Sequence, residues 1–541
     1  MVNARLRRVA ERLRPNPASG PAPVATPADP GPATPAVRPA PACASVRAWV
    51  VAGDRTATGL AGQWTQERVS ADVPAGDLPQ VVVVELVDGR PAGWTGDDEA
   101  FAAFVAHVVS GGVPVLVWAT SGGPGAAAWL DVASQVLVAD ESQVASWAPR
   151  AVQVLPLAAA WSARAGGPRG ERALVVAPAG LVGRKDLAPV ATDRAEPGAT
   201  AAQTLTRYAA VVLDATAPDA AHLILDAAGA GVTPYCVGPL PAGLPPTVAA
   251  RVVVVEQDVR DARHSVRARA AQPELRDRDA VLLRRASAGH GFDDRALALA
   301  SAAGLDLPHR GRTVSAVVPT NRPDQLEHVL VQLAAQRDVD VELVLVLHGI
   351  TGRTAELEGR ARELGLRLVV VEAPAEATLG RCMNLGVDAA SGDLVAKMDD
   401  DNHYGPHYLA DLAQALRSSG AGLAGKWAHY VWLRSTDAVV LRYPDHENTF
   451  GTRVQGGSML FEGDVVRDLR FGDHLPRAVD TDILDRAAAA GVPIFSADRF
   501  GYVSVRGTDR MGHTWTVTDE TFLTAAGRLE FFGDPRTHVD V

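Results

Sequence analysis

Three consecutive aspartates, Asp399, Asp400 and Asp401, are the residues of this sequence with the clearest capacity for chemistry. They follow the apolar stretch "DLVAKM", which is typical of a buried strand. Adjacent like charges raise one another's pKa unless a cation compensates them. Mg²⁺ and Mn²⁺ take oxygen ligands, often one or two carboxylates together with phosphate oxygens. The triplet therefore indicates a site for a divalent metal and a nucleoside diphosphate.

Strand geometry gives each aspartate an expected direction. Alternation along an extended segment predicts Asp399 and Asp401 on one side and Asp400 on the other. One of the first two would touch a ribose and the other the metal, and Lys397 would balance charge. On spacing alone, the alternative is an acidic turn that caps the following helix, "GPHYLADLAQAL".

The elements that must position this triplet begin at Thr313. Strand patterns ("TVSAVVPT", "VELVLVLHG", "LRLVVVEA", "DLVAKMD") alternate with helical patterns, which predicts a doubly wound α/β unit. Ligands of such sheets bind beyond the carboxyl ends of the strands. The strand ends at Thr320, His348 and Asp399 are therefore expected to converge on one site.

The preceding region, about 45–310, has the same alternation. Continuous apolar strands such as "QVVVVELV" and "AAVVLDA" lie between helical patterns, which predicts parallel sheets covered on both faces. The length suits two small doubly wound units. A charged helical stretch, roughly 259–303, leads into the last domain.

The N-terminus differs from both α/β regions. Residues 1–14 read as a short basic amphipathic helix, which could lie on an anionic membrane surface or simply be a solvated terminus. Residues 15–42 are rich in Pro and Ala and are expected to form an extended, disordered tether.

Composition limits the function classes. A net charge of −11 over 541 residues disfavours a general nucleic-acid binder, so no nucleic-acid partner is expected. Only three cysteines occur, without metal-ligand spacing, which argues against a disulfide framework and a zinc site. No apolar run reaches the roughly 18 residues that span a bilayer. We expect a cytoplasmic protein, with the basic helix as a candidate contact to the inner face of the membrane.

The order of motifs in the last region carries a family resemblance. The stretches "VSAVVPTNRP", "LGRCMNLGVDAASGDLVAKMDDDNHY", "GGSMLFEGDVV", "AVDTDILDRAAAAG" and "GHTW" together resemble glycosyltransferase family 2, enzymes of the GT-A fold. The resemblance implies a Rossmann-type nucleotide-diphospho-sugar domain over residues 311–541. It also implies a metal-dependent, inverting glycosyltransferase that uses Mn²⁺ or Mg²⁺. The acceptor would be a hydroxyl of a cell-surface polysaccharide or lipid-linked glycan, as in cell-wall or polysaccharide biosynthesis.

The resemblance also implies roles for residues. Asp399 and Asp401 match the family's DxD positions, Asp401 as the direct metal ligand, and His513 matches a histidine that completes the coordination. Asp480 matches the general base, because a carboxylate that takes the acceptor's proton lowers the barrier. Its neighbours Asp482 and Asp485 are better explained as a solvated helix face.

The nucleotide-sugar site drawn from this resemblance is larger. Arg381 and Arg506 are candidates for the diphosphate, since guanidinium groups suit phosphate oxygens. Gly456 and Gly457 predict a loop whose backbone closely approaches something, either the donor sugar or the acceptor. The full set is Pro319, Thr320, Asn321, Arg322, His348, Arg381, Asn384, Asp399, Asp400, Gly456, Gly457 and Arg506.

Three departures from the family pattern matter. Leu347 and His348 stand where two aspartates are usual, and the opening reads "PTNRP" rather than "PTYNR". These changes leave the nucleobase of the donor open. Val479 replaces an acidic residue just before Asp480, which weakens the assignment of the base.

Residues 45–310 loosely resemble GT-B glycosyltransferases, which have two Rossmann-like domains. The resemblance lies in "ADESQVASWAPRAVQVLPLAA", "LILDAAGAGVTPYCVG" and "RDRDAVLLRRASAGHGFDDRALALASAAGL". Asp226 is displaced from the acidic position of a GT-B nucleotide site. We therefore expect a GT-B-like module without catalytic activity, which serves as a scaffold or acceptor platform.

Two other function classes are weighed. A sugar nucleotidyltransferase would carry a Gly-rich loop with basic residues after the first strand, and "PTNRPDQ" is not such a loop. A non-catalytic glycan-binding or assembly scaffold remains an alternative for 45–310, but the set Asp399, Asp401 and Asp480 disfavours it for the C-terminal domain.

Overall fold

The computed structural model describes most of the chain from residue 43 onwards, and all of that part belongs to one unit, residues 35–541. The described residues are 43–71, 73–74, 76–125, 128–159, 173–176, 192–193, 205, 208–217, 219–255, 259–307, 313–507, 519–524 and 527–541. The helix predicted for 1–14, the tether predicted for 15–42 and His513 lie outside them.

The first sheet is parallel in the order β2-β1-β3-β5-β6-β7, with β4 antiparallel to β3 at one end. Its strands are β1 (Arg47–Val51), β2 (Thr65–Arg68), β3 (Val81–Val87), β4 (Arg90–Pro91), β5 (Val115–Ser121), β6 (Gln135–Val138) and β7 (Gln153–Val154). The apolar run of β3 is buried in all but its last residue, as expected for a parallel strand covered on both faces.

The second sheet is parallel in the order β12-β11-β10-β8-β9. Its strands are β8 (Ala173–Val176), β9 (Thr192–Asp193), β10 (Ala210–Asp214), β11 (Thr233–Val237) and β12 (Val253–Val255). Separate hydrophobic clusters cover the opposite faces of each sheet. The predicted α/β class with two doubly wound units is therefore confirmed.

The N-terminal helices are α1 (Asp54–Ala61), α2 (Asp98–Ser110), α3 (Glu141–Val144), α4 (Ala220–Gly229), α5 (Pro246–Ala249), α6 (Val259–Ala271), α7 (Pro273–Ala286) and α8 (Phe292–Ala302). The charged stretch 259–303 is thus three helices. The last, α8, returns to the first sheet, where Phe292 and Leu299 share a core cluster with Val50 and Leu60. A Cβ at Gly59 of α1 would lie 2.3 Å from the Phe292 ring, so the glycine permits this contact.

The C-terminal half contains two further sheets. Its strands are β13 (Thr313–Thr320), β14 (Asp340–His348), β15 (Arg367–Ala373), β16 (Leu394–Met398), β17 (His403–Tyr404), β18 (Leu423–Gly425), β19 (His429–Leu433), β20 (Ala438–Arg442), β21 (Thr449–Gly451), β22 (Ser458–Glu462), β23 (Ile494–Ser496), β24 (Tyr502–Arg506) and β25 (Arg528–Phe532). The large sheet has the order β15-β14-β13-β16-β22-β18-β23-β21, and the small one β17-β24-β19-β20-β25.

Strands β13 to β16 of the large sheet are mutually parallel, and β22 adds to β16 in the antiparallel sense. The helices of this half are α9 (Leu326–Ala334), α10 (Thr354–Glu363), α11 (Leu379–Ala389), α12 (Tyr408–Ser419), α13 (Gly463–Leu469), α14 (Val479–Ala489), α15 (Asp519–Thr524) and α16 (Arg536–Val539). The carboxyl ends of β13, β14 and β16 lie at one edge, as the sequence predicts.

Ion pairs join α7 and α8 to the C-terminal half. Arg285 of α7 donates to both carboxylate oxygens of Asp411, at 3.1 and 2.7 Å. Arg499 pairs with Asp277 of α7 at 3.0 Å and with Glu447 at 2.8 Å. Since Arg499 is buried, it loses its hydration and needs these carboxylates to compensate its charge.

The three cysteines of the chain, Cys43, Cys236 and Cys382, are all buried and unbridged. Burial raises the pKa of each thiol, to about 11 for Cys43. No helix in the described part of the chain is long and apolar enough to span a bilayer.

Candidate functional site

The aspartate triplet begins directly where β16 ends. β16 runs parallel to β13, with Val317 opposite Lys397, so Thr320 and Asp400 come together beyond the strand ends. The Thr320 hydroxyl donates to Asp400 Oδ2 at 2.5 Å, and Arg322 Nε donates to the same oxygen at 3.0 Å. Asp400 is therefore a buried side chain that ties β16 to β13.

Arg322 also reaches the next aspartate, because its Nη1 donates to Asp401 Oδ2 at 2.9 Å. Asp400 and Asp401 thus share one guanidinium, whereas Asp399 turns towards Lys397. The predicted strict alternation does not hold past Met398, because the strand ends there and the chain bends.

Lys397 lies at the centre of the site. Its buried ammonium donates to Asp399 Oδ1 at 2.9 Å and to the Gly456 carbonyl at 3.0 Å, and Asp480 Oδ1 lies 3.4 Å away. Burial alone would lower the pKa of Lys397, but Asp399 and Asp480 raise it and the net shift is upward. Lys397 therefore stays charged and does more than balance the triplet, since it joins the ends of β16, the glycine loop and α14.

Asp480, the predicted base, is near the start of α14. Ala478 is the N-cap residue of this helix, so Asp480 is its second residue and not its N-cap. Its Oδ1 is buried with the Lys397 ammonium 3.4 Å away as its ion-pair partner, while its side chain as a whole is 37% exposed. Burial raises the pKa of Asp480, Lys397 lowers it and Asp399 raises it, with a net upward shift.

The neighbouring carboxylates of α14 are engaged elsewhere. Asp482 pairs with Arg486 at 2.8 Å, and Asp485 pairs with Arg453 at 2.7 Å. Both pairs lie on the partly exposed side of the helix, in agreement with the sequence interpretation. Asp480 is thus the carboxylate of α14 that faces the triplet.

The glycine pair closes the site from β22. A Cβ at Gly456 would lie 2.1 Å from Asp480 Oδ2, and one at Gly457 would lie 2.4 Å from Asp399 Oδ2. The backbone of the glycine loop therefore closely approaches the carboxylates of Asp480 and Asp399. Neither glycine has a positive φ, so glycine is required at both positions by lack of space and not by the backbone angle.

Two further residues fix Asp399, and neither was predicted from the sequence. Asn402 Nδ2 donates to Asp399 Oδ2 at 3.2 Å. The Tyr404 hydroxyl accepts from the Asp399 main-chain N–H and donates to the Gly457 carbonyl, both at 2.7 Å. Burial, with Asp399 nearby, raises the pKa of Tyr404 well above its usual value, so it remains a donor. Their place directly after the aspartate triplet, in "DDDNHY", is the sequence feature that could have indicated Asn402 and Tyr404.

The remaining predicted nucleotide residues lie on or next to β13 and β14 of the large sheet and on β24 of the small sheet. Pro319 is half-buried in β13, and Asn321 is exposed just after that strand. His348 ends β14, where its Nε2 lies 3.0 Å from the Ala375 carbonyl oxygen. Arg506 ends β24, with its guanidinium 4.8 Å from the centre of the Phe522 ring.

Arg381 and Asn384 do not share a solvent-facing surface. Arg381 is exposed in the first turn of α11, whereas Asn384 is buried. The Asn384 amide donates to the Phe471 carbonyl and accepts from the Phe471 N–H, both at 2.9 Å. We therefore revise the prediction for Asn384, because its amide joins α11 to the chain after α13.

The chemistry of the carboxylates suits a hard cation. Burial raises the pKa of Asp401, with Asp399 and Asp400 adding to the rise and Arg322 opposing it. A divalent ion would relieve this repulsion, and carboxylate oxygens are its preferred ligands. Among the described residues no cluster of three or more His, Cys, Asp or Glu side chains is arranged to hold a metal. Mg²⁺ and Mn²⁺ often take only one or two carboxylates where phosphate oxygens complete the shell.

The strand-end edge of the N-terminal half is arranged differently. Glu85 in β3 accepts from the Gly53 N–H at 2.9 Å and from the Thr56 hydroxyl at 2.8 Å, at the start of α1. Asp226 of α4 pairs with Arg55, whose guanidinium also donates to the Ala158 carbonyl at 2.8 Å. Both carboxylates are therefore bonded to donors of the protein itself.

Comparison with known proteins bears on the C-terminal half. Residues 315–466 match the family model described as Glycosyl transferase family 2. The chain carries a family 2 glycosyltransferase domain. The match includes Asp399, Asp401 and the glycine pair, and Asp480 lies beyond its end. The resemblance predicted from the motifs is thereby confirmed. No protein of curated function matches the sequence.

Solved structures similar to the chain include S. aureus TarS and a mannosyltransferase. S. aureus TarS is 18% identical, with 36% of this chain and 37% of that chain covered and a TM-score of 0.30. S. aureus TarS 1-349 in complex with UDP-GlcNAc is 19% identical, with 38% of this chain and 61% of that chain covered and a TM-score of 0.31. The mannosyltransferase PcManGT from Pyrobaculum calidifontis, in complex with GDP-Man and Mn²⁺, is 20% identical. The match covers 38% of this chain and 59% of that chain, with a TM-score of 0.31. This chain thus spans less than two thirds of the length of each.

Proposed function

We propose that the C-terminal domain transfers a sugar from a nucleotide-diphosphate donor to an acceptor hydroxyl, with inversion and with the help of a divalent metal. The carboxylate cluster around Lys397, within a family 2 domain, is the observation that carries this proposal. It combines an acidic pair suited to a metal–diphosphate with a separate carboxylate suited to a base.

On the donor side, Asp399 and Asp401 would hold Mn²⁺ or Mg²⁺, which would neutralise charge on the departing diphosphate. His513 is the third ligand we propose. Thr320 and Arg322 fix the neighbouring Asp400, so the triplet is held before any ligand arrives. Such preorganisation matters because the site then need not rearrange as charge develops on the diphosphate.

On the acceptor side, Asp480 is the proposed general base. Its partial exposure allows a hydroxyl to approach, and burial of Oδ1 makes it a stronger base than a solvated aspartate. As the acceptor oxygen bonds to the anomeric carbon, its proton passes to Asp480 and the bond from that carbon to the diphosphate oxygen breaks. One such displacement inverts the anomeric configuration. Lys397 favours the ionised form of Asp480, since its charge lowers the pKa of that carboxyl against the effect of burial.

The acceptor we propose is a hydroxyl of a cell-surface polysaccharide or lipid-linked glycan, reached from the cytoplasm. The amphipathic pattern of residues 1–14 supports contact with an anionic membrane surface. In the N-terminal half, Glu85 is bonded to the start of α1 and Asp226 is paired with Arg55, which supports a scaffold role without turnover.

Calorimetry of nucleotide binding tests the donor side. UDP, dTDP, GDP and CDP are titrated with Mn²⁺ and with EDTA into the wild type, Asp401→Ala and the control Asp388→Ala, whose exposed carboxylate pairs with Arg470. We expect one nucleotide to bind only with metal, and Asp401→Ala to bind it at least about tenfold more weakly. Binding that ignores both the metal and Asp401 would contradict the proposal. With the matching sugar donor, an NMR spectrum of the product reports whether the configuration inverts.

A further inference from the structure

An aromatic pair lies beside the backbone segment that is bonded to the glycine loop. Trp427, shortly after β18, stacks on Tyr443, shortly after β20, with ring centres 4.1 Å apart and planes inclined by 6°. Both side chains are half-buried, so part of the pair faces solvent. Neither residue has been assigned a role in the site so far.

The backbone places Trp427 next to the glycine loop. β18 pairs antiparallel with β22, and the pairing continues beyond the strands, because the Gln455 N–H donates to the Lys426 carbonyl at 2.9 Å. The Lys426 N–H donates to the Ser458 hydroxyl, also at 2.9 Å. Lys426 is thus bonded to the residues just before and just after Gly456 and Gly457, and Trp427 is the next residue along the chain. These two glycines are the ones that lie against Asp480 and Asp399.

Tyr443 has an unusual backbone conformation. Its φ of 49° and ψ of 50° lie in the left-handed region, which is costly for a bulky side chain. The stack on Trp427 and a hydrogen bond from Arg442 Nη2 to the Tyr443 hydroxyl, 2.7 Å long, hold it there. Such strain persists only where the surroundings enforce it, and it is frequent at ligand sites.

The loop that carries Tyr443 is braced from the N-terminal half. Arg284 of α7 donates to Asn448 Oδ1 at 3.0 Å, and Arg499 links Glu447 to Asp277 of α7. Asn448 is buried and also has a positive φ, of 51°. The position of Tyr443 is therefore fixed by contacts at both ends of the loop.

The pair also offers hydrogen-bond donors. The indole Nε1–H of Trp427 has no acceptor among the described residues and is not fully buried. The Tyr443 hydroxyl accepts from Arg442 and keeps its own proton to donate. An aromatic face with donors at its edge matches a sugar ring, which has C–H groups on one face and hydroxyls around it.

We propose that Trp427 and Tyr443 bind a sugar ring of the acceptor and present its hydroxyl to Asp480. The inference rests on the proposed function and adds the chemical class of the acceptor at this position.

Saturation-transfer NMR with methyl glycosides of glucose, galactose, mannose and N-acetylglucosamine tests this inference. Each is titrated into full-length protein loaded with metal and the nucleotide selected by calorimetry. We expect at least one glycoside to bind and Trp427→Ala to weaken it about tenfold, with nucleotide affinity changed less than about twofold. Trp432→Ala is the matched control, since the Trp432 ring is half-exposed, lies 4.4 Å from the Arg434 guanidinium and donates to Asp437.

A conservative pair of variants guards against misfolding. Trp427→Phe keeps a ring but removes the N–H, and Tyr443→Phe keeps the ring but removes the hydroxyl, so both should bind the glycoside with intermediate affinity. Unchanged glycoside binding in Trp427→Ala would overturn the inference, as would a parallel loss of nucleotide affinity. If the wild type binds nucleotide but no glycoside, the inference fails alone. If it binds no nucleotide, the proposed function fails first.

Discussion

In the N-terminal half, Glu85 near the end of β3 receives hydrogen bonds from the first turn of α1, and Asp226 is neutralised by Arg55. In the C-terminal half, Asp399 and Asp480 share a single ammonium, that of Lys397, and remain about one third exposed. Both halves bring carboxylates to the ends of parallel strands. In the N-terminal half both carboxylates are buried and bonded within the protein, whereas those of the C-terminal half stay partly exposed to a ligand, so site chemistry rather than sheet architecture distinguishes the two halves.

The largest effect we expect is on turnover, from Asp480→Asn. The amide cannot accept the acceptor's proton, so kcat should fall by about 10²–10⁴-fold while nucleotide affinity and unfolding temperature stay close to the wild type. Asp485→Asn on the same helix is the control and should retain activity. Because burial raises the pKa of Asp480, the acid limb of kcat/KM in the wild type should lie above the usual aspartate range. A fully active Asp480→Asn enzyme would remove Asp480 from the mechanism.

Lys397→Met should be the most costly change for stability. It leaves Asp399 and Asp480 facing each other without their shared cation, and because both are about one third exposed the cost should be about 3 kcal/mol of unfolding free energy, the lower end for a buried pair. Urea denaturation measures this loss. Lys426→Met, which removes the other buried ammonium of the domain from Asp498, should also destabilise the protein. Only Lys397→Met should shift the acid limb of activity to higher pH, since Lys397 lowers the pKa of Asp480. Equal pH profiles for the two variants would argue against the shared-cation description.

The corresponding change in the N-terminal half, Asp226→Asn, should have no effect on turnover. It leaves Arg55 without its charged partner, at a cost of about 1–3 kcal/mol in unfolding free energy. Activity and denaturation measured on the same preparation separate the two effects. A folded Asp226→Asn protein that has lost turnover would contradict the scaffold role of this half.

The smallest effect concerns acid stability. Burial lowers the pKa of His429 to about 3, with Arg442 contributing, and lowers that of His222 in the N-terminal half to about 3, with Arg55 contributing. The unfolded chain binds these protons near pH 6.5 and the folded chain does not, so stability falls as the pH drops below about 6.5. For the fully buried His429 the loss at pH 5 is about 2 kcal/mol. Unfolding at pH 7 and 5, for the wild type and His429→Gln, measures it, and an unchanged pH dependence in the variant would contradict this origin.

The sequence predicted the α/β class and the family 2 domain, because apolar strand runs and ordered motifs are local patterns. It also predicted that the ends of β13, β14 and β16 share one edge. The role of Lys397 could not be predicted, since it depends on β16 and α14 meeting across some 80 residues of chain. The same holds for Asn384, whose burial against Phe471 depends on how α11 packs.

Other parts of the site depend on register in the same way. Thr320 and Arg322 hold Asp400 because β13 and β16 pair in one particular alignment, which no local pattern reveals. The aromatic pair is a stronger example, since Trp427 and Tyr443 meet only through the placement of two loops. His513 as a metal ligand and the basic helix over residues 1–14 stay predictions.

The three buried thiols have a practical consequence. Since burial raises the pKa of Cys43, Cys236 and Cys382, little thiolate forms at neutral pH, and maleimides should label the wild type slowly. A cysteine introduced at an exposed position would then be modified almost alone. One dye beside the glycine loop and one on α2 would make a fluorescence ruler between the two halves. The native cysteines would not have to be removed first.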